Sequence, residues 1–479
     1  SKRRIRRAIH TMRKSSTESF LEYKTRVMDS KSSTFCGAKW HGATIWLGHG
    51  QTTSCHLPSP HDISIEELKE NPSAIHNTSH KKKMRKMMLN GEQPSECYKC
   101  WEVEAKGVDK ISERVFKTLM YEETDLDAIP LRKWSDNALL RTLEVSFDRA
   151  CNLACSYCGP TFSTTWVKDI KDNGPYENIQ SDKREHYTHT SDWAANVTKR
   201  DEDNPYIQAF WKWWEEDGGL ADTLDGIRVT GGEPIMHPSV WKLLDWFKNN
   251  PERGKRMRFA INSNLVPEKE KTFQRLLDAI EYVPGFEMFT SCEAFGIQAD
   301  YIRDGMNYEV WLNNVKRLLE QSKVNKLGIM MTINALSLDS ITDFMDDILE
   351  LREEYSGSSI LLSLNPVYNP EFQSISTLPT NIIKYYNDKL IVWHEKRKED
   401  LLDQEGIHVT RIIDHLDKAI RIPHSEEVLK KRQGDFKSFY TQYDKRRGKD
   451  LRTTFSPILS EWYDSLTPTR VFKIETSNG

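Results

Sequence analysis

Three closely spaced cysteines define the chemistry this chain is equipped for. They stand in Cys151-Asn-Leu-Ala-Cys155-Ser-Tyr-Cys158, a C-x3-C-x2-C spacing. Three thiolates this close can hold three corners of a [4Fe–4S] cube, leaving the fourth iron open to a substrate or cofactor. The competing reading is zinc or a group of buried thiols. Zinc usually asks for four closed ligands, commonly from two C-x2-C knuckles, and this segment has no fourth Cys or His nearby.

A second group lies upstream: Cys36, Cys55, Cys97 and Cys100. Four thiolates can close a metal site completely, and their chemistry alone does not separate zinc from an iron–sulfur cluster. Around them the sequence predicts a strand at Ala43–Leu47, a turn at Gly48-His49-Gly50 and a return at Gln51–Cys55. A helix follows at His80–Leu89. Its basic run, Lys81 to Lys86, reads as a solvated helix face. His41, His49 and His56 stand near these cysteines and suit polar surface or supporting roles better than a ligand swap.

The elements that must position the first group form a repeating pattern from about Arg141 onward. Candidate strands are Thr142–Phe147, Gly226–Thr230, Arg258–Asn262, Glu287–Ser291, Gly328–Ile333 and Ile360–Leu364. Helical periodicity fills the intervals, as in Val240–Phe247, Phe273–Tyr282 and Trp311–Leu319. Strands alternating with helices imply a parallel sheet, and function on such barrels gathers at the carboxyl ends of the strands. The first cysteine group follows the first strand. The second strand ends in Thr230-Gly231-Gly232-Glu233-Pro234, the third in Asn262-Ser263-Asn264 and the fourth in Thr290-Ser291-Cys292-Glu293. Tyr301-Ile302-Arg303-Asp304-Gly305 comes soon after.

The cysteine loop, the GGEP string and the S-x-E…R-x-G region together resemble the radical S-adenosylmethionine (SAM) superfamily. The resemblance implies a partial (β/α)6 TIM-like barrel in which the open iron of a [4Fe–4S] cluster on Cys151, Cys155 and Cys158 chelates SAM. It further implies that Tyr157 packs beside the adenine, that Gly231, Gly232 and Pro234 shape the turn, and that Glu233 holds the SAM ammonium. Asn264 belongs to a ligand-facing turn, Ser291 and Glu293 touch the ribose, and Arg303 pairs with the SAM carboxylate. Glu293 stands where the family usually has Asp. Asn334, after the fifth strand, is a further pocket candidate. Cys292 reads as a buried free thiol rather than a hydrogen-atom donor.

The passage around the upstream cysteines, with RKMMLNGEQPSECYKCWEVE at its end, resembles the Twitch/SPASM auxiliary-cluster domains of radical SAM enzymes. It implies a second, auxiliary [4Fe–4S] cluster that relays electrons. In most relatives this domain follows the barrel, whereas here it precedes it. The expected layout is a basic N-terminal helix at 1–30, a small cysteine-rich α+β auxiliary domain at 31–130, the barrel at 138–370 and a helical C-terminal region at 371–479. The resemblance points first to a peptide or protein side chain as substrate and to a reductant such as flavodoxin or ferredoxin as partner. The roughly 30 residues before Cys36 are short for a separate leader-peptide-binding domain, which counts against a peptide. A small-molecule dehydrogenase or mutase acting on a sugar, nucleoside or amino acid would use the same cofactor residues. A non-catalytic iron–sulfur electron carrier would need neither GGEP nor Arg303.

Size and charge narrow the classes. The 479 residues carry 29% charged side chains and a net charge of −3, which gives no global nucleic-acid signature. No apolar run approaches the ~20 residues that span a bilayer. The basic stretch Ser1–Lys14 has no apolar core or cleavage site of a secretory signal. Thiolates held for metal imply a reducing, cytoplasmic setting. The long polar stretch Pro160–Asn204 is a candidate substrate cover. The aromatic tract Tyr206–Trp214 suits core packing as well as a substrate platform.

Overall fold

The computed structural model describes residues 14–15, 17–182, 186–188, 203–321 and 323–470. The basic stretch at the start and part of the Pro160–Asn204 stretch lie outside them. The strands, in chain order, are β1 (Gly42–Trp46), β2 (Gln51–Thr53), β3 (His61–Asp62), β4 (Thr142–Ser146), β5 (Ala154–Cys155), β6 (Gly226–Thr230), β7 (Arg258–Ser263), β8 (Phe286–Ser291), β9 (Arg303–Asp304), β10 (Val324–Ile333) and β11 (Ile360–Pro366). The fold is mixed α/β, with mostly parallel strands. All six strands read from the sequence are present. β10 starts earlier than expected because its polar lead-in still pairs with β8 through a bulge between Val324 and Lys326.

The chain divides into two compact units. The first comprises residues 1–148, 198–261 and 282–284, and the second 149–197, 262–281 and 285–479. In the first unit, β4 pairs in parallel with β6, and β6 with β7. The upstream hairpin is continuous with this sheet: β1 pairs in parallel with β4, Gly42 opposite Thr142 through Trp46 opposite Ser146. Four of the five β1 residues are buried, as a strand with a parallel neighbour requires. β2 and β3 then add antiparallel to its other edge. The helix Pro205–Glu215 buries Ile207, Phe210, Trp213 and Trp214, so its aromatic tract is core.

The helix Ser79–Leu89 corrects the solvated-face reading. Lys81, Arg85 and Met88 form its buried face, and both cations are fully buried. The spacing i, i+4, i+7 is that of an inward stripe, here carried in part by basic residues that donate to Thr52, Thr53 and Lys39 as well as to the nearer Asn77.

In the second unit, β8, β10 and β11 are parallel neighbours, connected through the helices Tyr308–Leu319 and Ile341–Glu354. The C-terminal region is helical as expected, with Thr380–Arg397, Asp403–Arg421, Glu426–Arg447 and Pro457–Ser465. Phe436, Phe439, Tyr440 and Tyr443 line the buried side of Glu426–Arg447. Phe439 packs against Trp166, Tyr176 and Tyr187 with ring centroids 6.3, 5.0 and 4.7 Å away. Asp435 on the same helix is fully buried. It accepts from the Gln180 and Ser181 amides at 3.0 and 2.7 Å and from the Ser181 and Thr469 hydroxyls at 2.5 and 2.8 Å.

Asp435→Ala should strand several buried donors at once, at roughly 1–3 kcal/mol each. The expected loss is about 3 kcal/mol, read from the denaturant midpoint; a loss below ~1 kcal/mol would show that these donors find other partners.

Candidate active site

The cysteine loop lies in the second unit and is built around a very short ladder. β5 pairs antiparallel with β9, Ala154 opposite Asp304 and Cys155 opposite Arg303. Two residues of strand are too few to hold by themselves, and the loop is clamped from several sides. The Ser156 amide donates to the Ile302 carbonyl at 2.7 Å. The Ser156 carbonyl accepts from Tyr187 Oη at 2.7 Å and Gln373 Nε2 at 2.8 Å, and Trp166 Nε1 donates to the Cys155 carbonyl at 2.9 Å. The Thr165 hydroxyl donates to the Cys151 carbonyl at 2.6 Å. Trp166, Tyr187 and Gln373 carried no motif and were missed by sequence reasoning. Only their partners in space give them a role.

Beside the loop, Arg303 and Glu293 form a buried ion pair. Arg303 Nη2 and Nε donate to Glu293 Oε2 at 2.6 and 3.1 Å, while Nη1 faces Cys155 Sγ at 3.7 Å. Tyr157 Oη reaches the same carboxylate at 3.2 and 3.3 Å, and its ring lies 5.6 Å from the guanidinium. Arg303 is 5% exposed and Glu293 1%. Burial works against the Arg303 charge, but Glu293, Tyr157 and Cys155 outweigh it and hold the guanidinium charged. Burial likewise pushes the Cys155 thiol up against the pull of Arg303, and the Cys158 thiol up to about 12. Any metal these thiols took up would have to displace their protons.

The sequence reading set Glu293 and Arg303 against separate parts of a ligand. The structure joins them to each other. The guanidinium has five N–H groups in a planar fork, so donors remain for a ligand carboxylate alongside Glu293. Asn264 Nδ2 donates to Asn152 Oδ1 at 2.8 Å, and Asn264 Oδ1 accepts from the Val266 amide at 2.9 Å; the turn after β7 thus braces the cysteine loop. Ser291 ends β8 and is half-buried. Cys292 is fully buried, with Sγ 3.4 Å from the Ala294 carbonyl, and burial pushes its thiol up. Asn334 follows β10 and is buried. Its side chain accepts from the Leu336 and Ser337 amides and donates to the Thr332 carbonyl, so it is committed to a local turn.

The GGEP turn lies in the first unit, at the end of β6. Gly231 adopts φ +138°, and a Cβ there would come 2.8 Å from the Asp148 carbonyl oxygen and 3.0 Å from Ser146 Oγ. Only glycine fits so close a backbone approach. Gly232 follows half-buried. Pro234 opens a short 3-10 turn, and the buried Glu233 caps it, accepting from the Ile235 amide at 3.4 Å.

Also in the first unit, Cys36, Cys55, Cys97 and Cys100 line one pocket with Lys39 and Trp101, enclosing about 410 Å3 of empty space including its open mouth. Cys36, Cys100 and Trp101 belong to an apolar cluster with Phe35, Met88 and Tyr121. Burial, reinforced by Cys55 and Cys97, pushes the Cys36 thiol up to about 12, and burial pushes the Cys97 thiol up to about 11. Four cysteines from three segments thus line one pocket, residue types that zinc and iron–sulfur groups both accept. Among the described residues, no three His, Cys, Asp or Glu side chains are close enough to share a single metal ion. No described helix is long and apolar enough to cross a membrane.

No family model matches the chain, and a search of curated proteins finds no match. The similar solved structures include Streptococcus suis SuiB, at 11% identity and TM-score 0.34, over 67% of this chain and 63% of that one. Another is anSMEcpe with bound AdoMet and Cp18Cys peptide, at 12% identity and TM-score 0.32, over 54% of this chain and 61% of that one. A third is TYW1 with a lysine-pyruvate adduct bound, at 14% identity and TM-score 0.25, over 51% of this chain and 70% of that one. The match spans less than two thirds of the length of the first two.

Gly305 tests the clamp on the cysteine loop. At φ +95° it faces the Asn152 carbonyl oxygen, which an added Cβ would meet at 2.9 Å. Gly305→Ala should push the loop out of place and lower the iron bound at Cys151, Cys155 and Cys158 after reconstitution, while the far-ultraviolet circular dichroism stays native. Full iron binding would show that the loop tolerates the shift.

Proposed function

We propose that this chain is a radical SAM enzyme that removes hydrogen from a peptide or protein side chain, with an auxiliary [4Fe–4S] cluster as electron relay. The observation that carries the reading is the pairing of Cys155 with Arg303 across β5 and β9. It sets a buried, permanently charged guanidinium beside a three-thiolate loop. When bound, a [4Fe–4S] cluster on Cys151, Cys155 and Cys158 would supply the electron that splits SAM into methionine and a 5′-deoxyadenosyl radical.

The chain's own residues handle binding and orientation. Arg303, held flat by Glu293, offers its remaining N–H groups to the SAM carboxylate, a geometry that guanidinium suits. Tyr157 and Glu293 fix the guanidinium from two sides, so little reorganisation is needed on binding. Ser291 lies on the β8 end that leads to Glu293 and can meet the ribose. The four upstream cysteines, fully ligating, would carry electrons and take no part in SAM binding. The resemblance of their surroundings to auxiliary-cluster domains supports a peptide or protein substrate.

Replacing Cys151, Cys155 and Cys158 together by Ala should reduce iron from about eight to about four per chain and abolish 5′-deoxyadenosine formation. Retained cleavage of SAM by that variant refutes the assignment. Arg303→Ala should weaken SAM binding by about 10- to 100-fold, matching a charge-assisted hydrogen bond of roughly 1.5–3 kcal/mol, with iron content unchanged. Wild-type SAM affinity, measured by calorimetry on the reconstituted chain, would remove Arg303 from the site.

A further inference from the structure

A cavity of about 360 Å3 opens in the second unit, between the segment that follows β11, the end of the helix Asp403–Arg421 and the start of Glu426–Arg447. Small-molecule sites commonly occupy roughly 300–1,000 Å3, so the space suits an organic molecule. Its lining mixes basic, hydroxyl and apolar side chains, and no Asp or Glu is among them.

The polar side is assembled before any ligand arrives. Arg432 Nη1 donates to His424 Nε2 at 2.8 Å and to Ser376 Oγ at 3.3 Å, and Nη2 donates to Glu371 Oε2 at 3.2 Å. A guanidinium can only donate, so the His424 proton sits on Nδ1. Burial, then Arg432, pushes His424 below the usual histidine range, in keeping with a neutral ring. Ser376 Oγ also lies 3.1 Å from Ser374 Oγ. The adjacent Gln373 is buried and donates to the Ser156 carbonyl at 2.8 Å, so the segment carrying both serines is fixed from behind. Donors set in place this way lose little freedom on binding.

The charge at the cavity points to an anion. Lys418 lines it, is exposed, and has no carboxylate partner among the described residues. Burial, then Lys418 and His424, pushes His415 down, so the charge there rests on Lys418 and Arg432. Set against Glu371, these two leave one positive charge, which a monoanion balances. The helix Thr380–Arg397 begins at the cavity wall with no side-chain cap, and its first amides add to the positive potential. The apolar side calls for a body as well as a charge. Tyr368 and Ile422 line the cavity while 62% and 70% exposed, and His415 packs edge-on against the Tyr368 ring with centroids 5.8 Å apart. Covering such surface favours binding.

We propose that this cavity binds a small organic carboxylate with an apolar body, the carboxylate at Lys418 and Arg432 and the body against Tyr368 and Ile422. The site goes beyond the proposed radical chemistry and does not depend on it.

The test is titration calorimetry of the full chain with hydrocinnamate. Hydrocinnamyl alcohol keeps the body without the charge, and acetate keeps the charge without the body. Hydrocinnamate is expected to bind one-to-one and more tightly than either. Arg432→Gln should weaken it by about 10- to 100-fold, the range for a hydrogen bond to a charged group. Lys418→Ala should weaken it by about fivefold, the upper end for an exposed ion pair. Ile422→Asp, which sets a negative charge at the mouth, should weaken it by about tenfold. Should Arg432→Gln fail to fold, the two variants at exposed positions decide. No saturable binding of hydrocinnamate, or wild-type affinity in folded Lys418→Ala and Ile422→Asp, would overturn the site. Tighter binding of phenyl phosphate than of hydrocinnamate would overturn the carboxylate assignment.

Discussion

The second unit's chemistry depends on one contact, the two-residue ladder that sets Cys155 opposite Arg303. A ladder of that length contributes almost nothing by itself, so its register is imposed from outside. Trp166, Tyr187 and Gln373 fix the backbone on the cysteine side. On the other strand, Asp304 is held by Arg447 at 3.0 Å and Lys449 at 2.7 Å. The aromatic stripe of Glu426–Arg447 brings these supports together. The C-terminal helices therefore hold the loop that would bind the cluster, and a change far along the chain can reach the cysteines through Ser156. Sites held by locked supporting residues keep the sub-ångström placement that chemistry needs.

The Arg303–Glu293 pair has a cost that its location explains. Moving two charges out of water is expensive, and a buried pair seldom stabilises a protein over an apolar alternative. Its value lies in orientation. Glu293 and Tyr157 hold the guanidinium in one pose before any ligand arrives, and keep it charged despite burial. A carboxylate ligand then meets a fork already aimed.

Much of this architecture can be read directly from residue order. β6, read as Gly226–Thr230, has those bounds in the structure, because a short β-branched run ending in two glycines has few other ways to fold. The helix Thr380–Arg397 falls in the C-terminal stretch expected to be helical. What stayed hidden depends on long-range partners. Nothing local distinguishes Lys81 and Arg85 from the exposed Lys83 and Lys86; their burial follows from acceptors at Thr52, Thr53, Lys39 and Asn77. Asn334 read as a pocket residue because it ends a strand, yet its amide closes a turn, a use that Asn favours and that sequence cannot separate from ligand binding. The pairing of β1 with β4 stayed hidden because nearly a hundred residues separate the two strands. Parallel pairing leaves no turn signal to link the two.

In the proposed reading, three thiolates on a cubane leave one negative charge. SAM carries a sulfonium and an ammonium against one carboxylate, so it cancels that charge when it binds. Such a site needs no net charge from the protein, and its buried pair, Arg303 with Glu293, has none. A fully ligated cluster has no such cationic visitor, and its two negative charges are permanent.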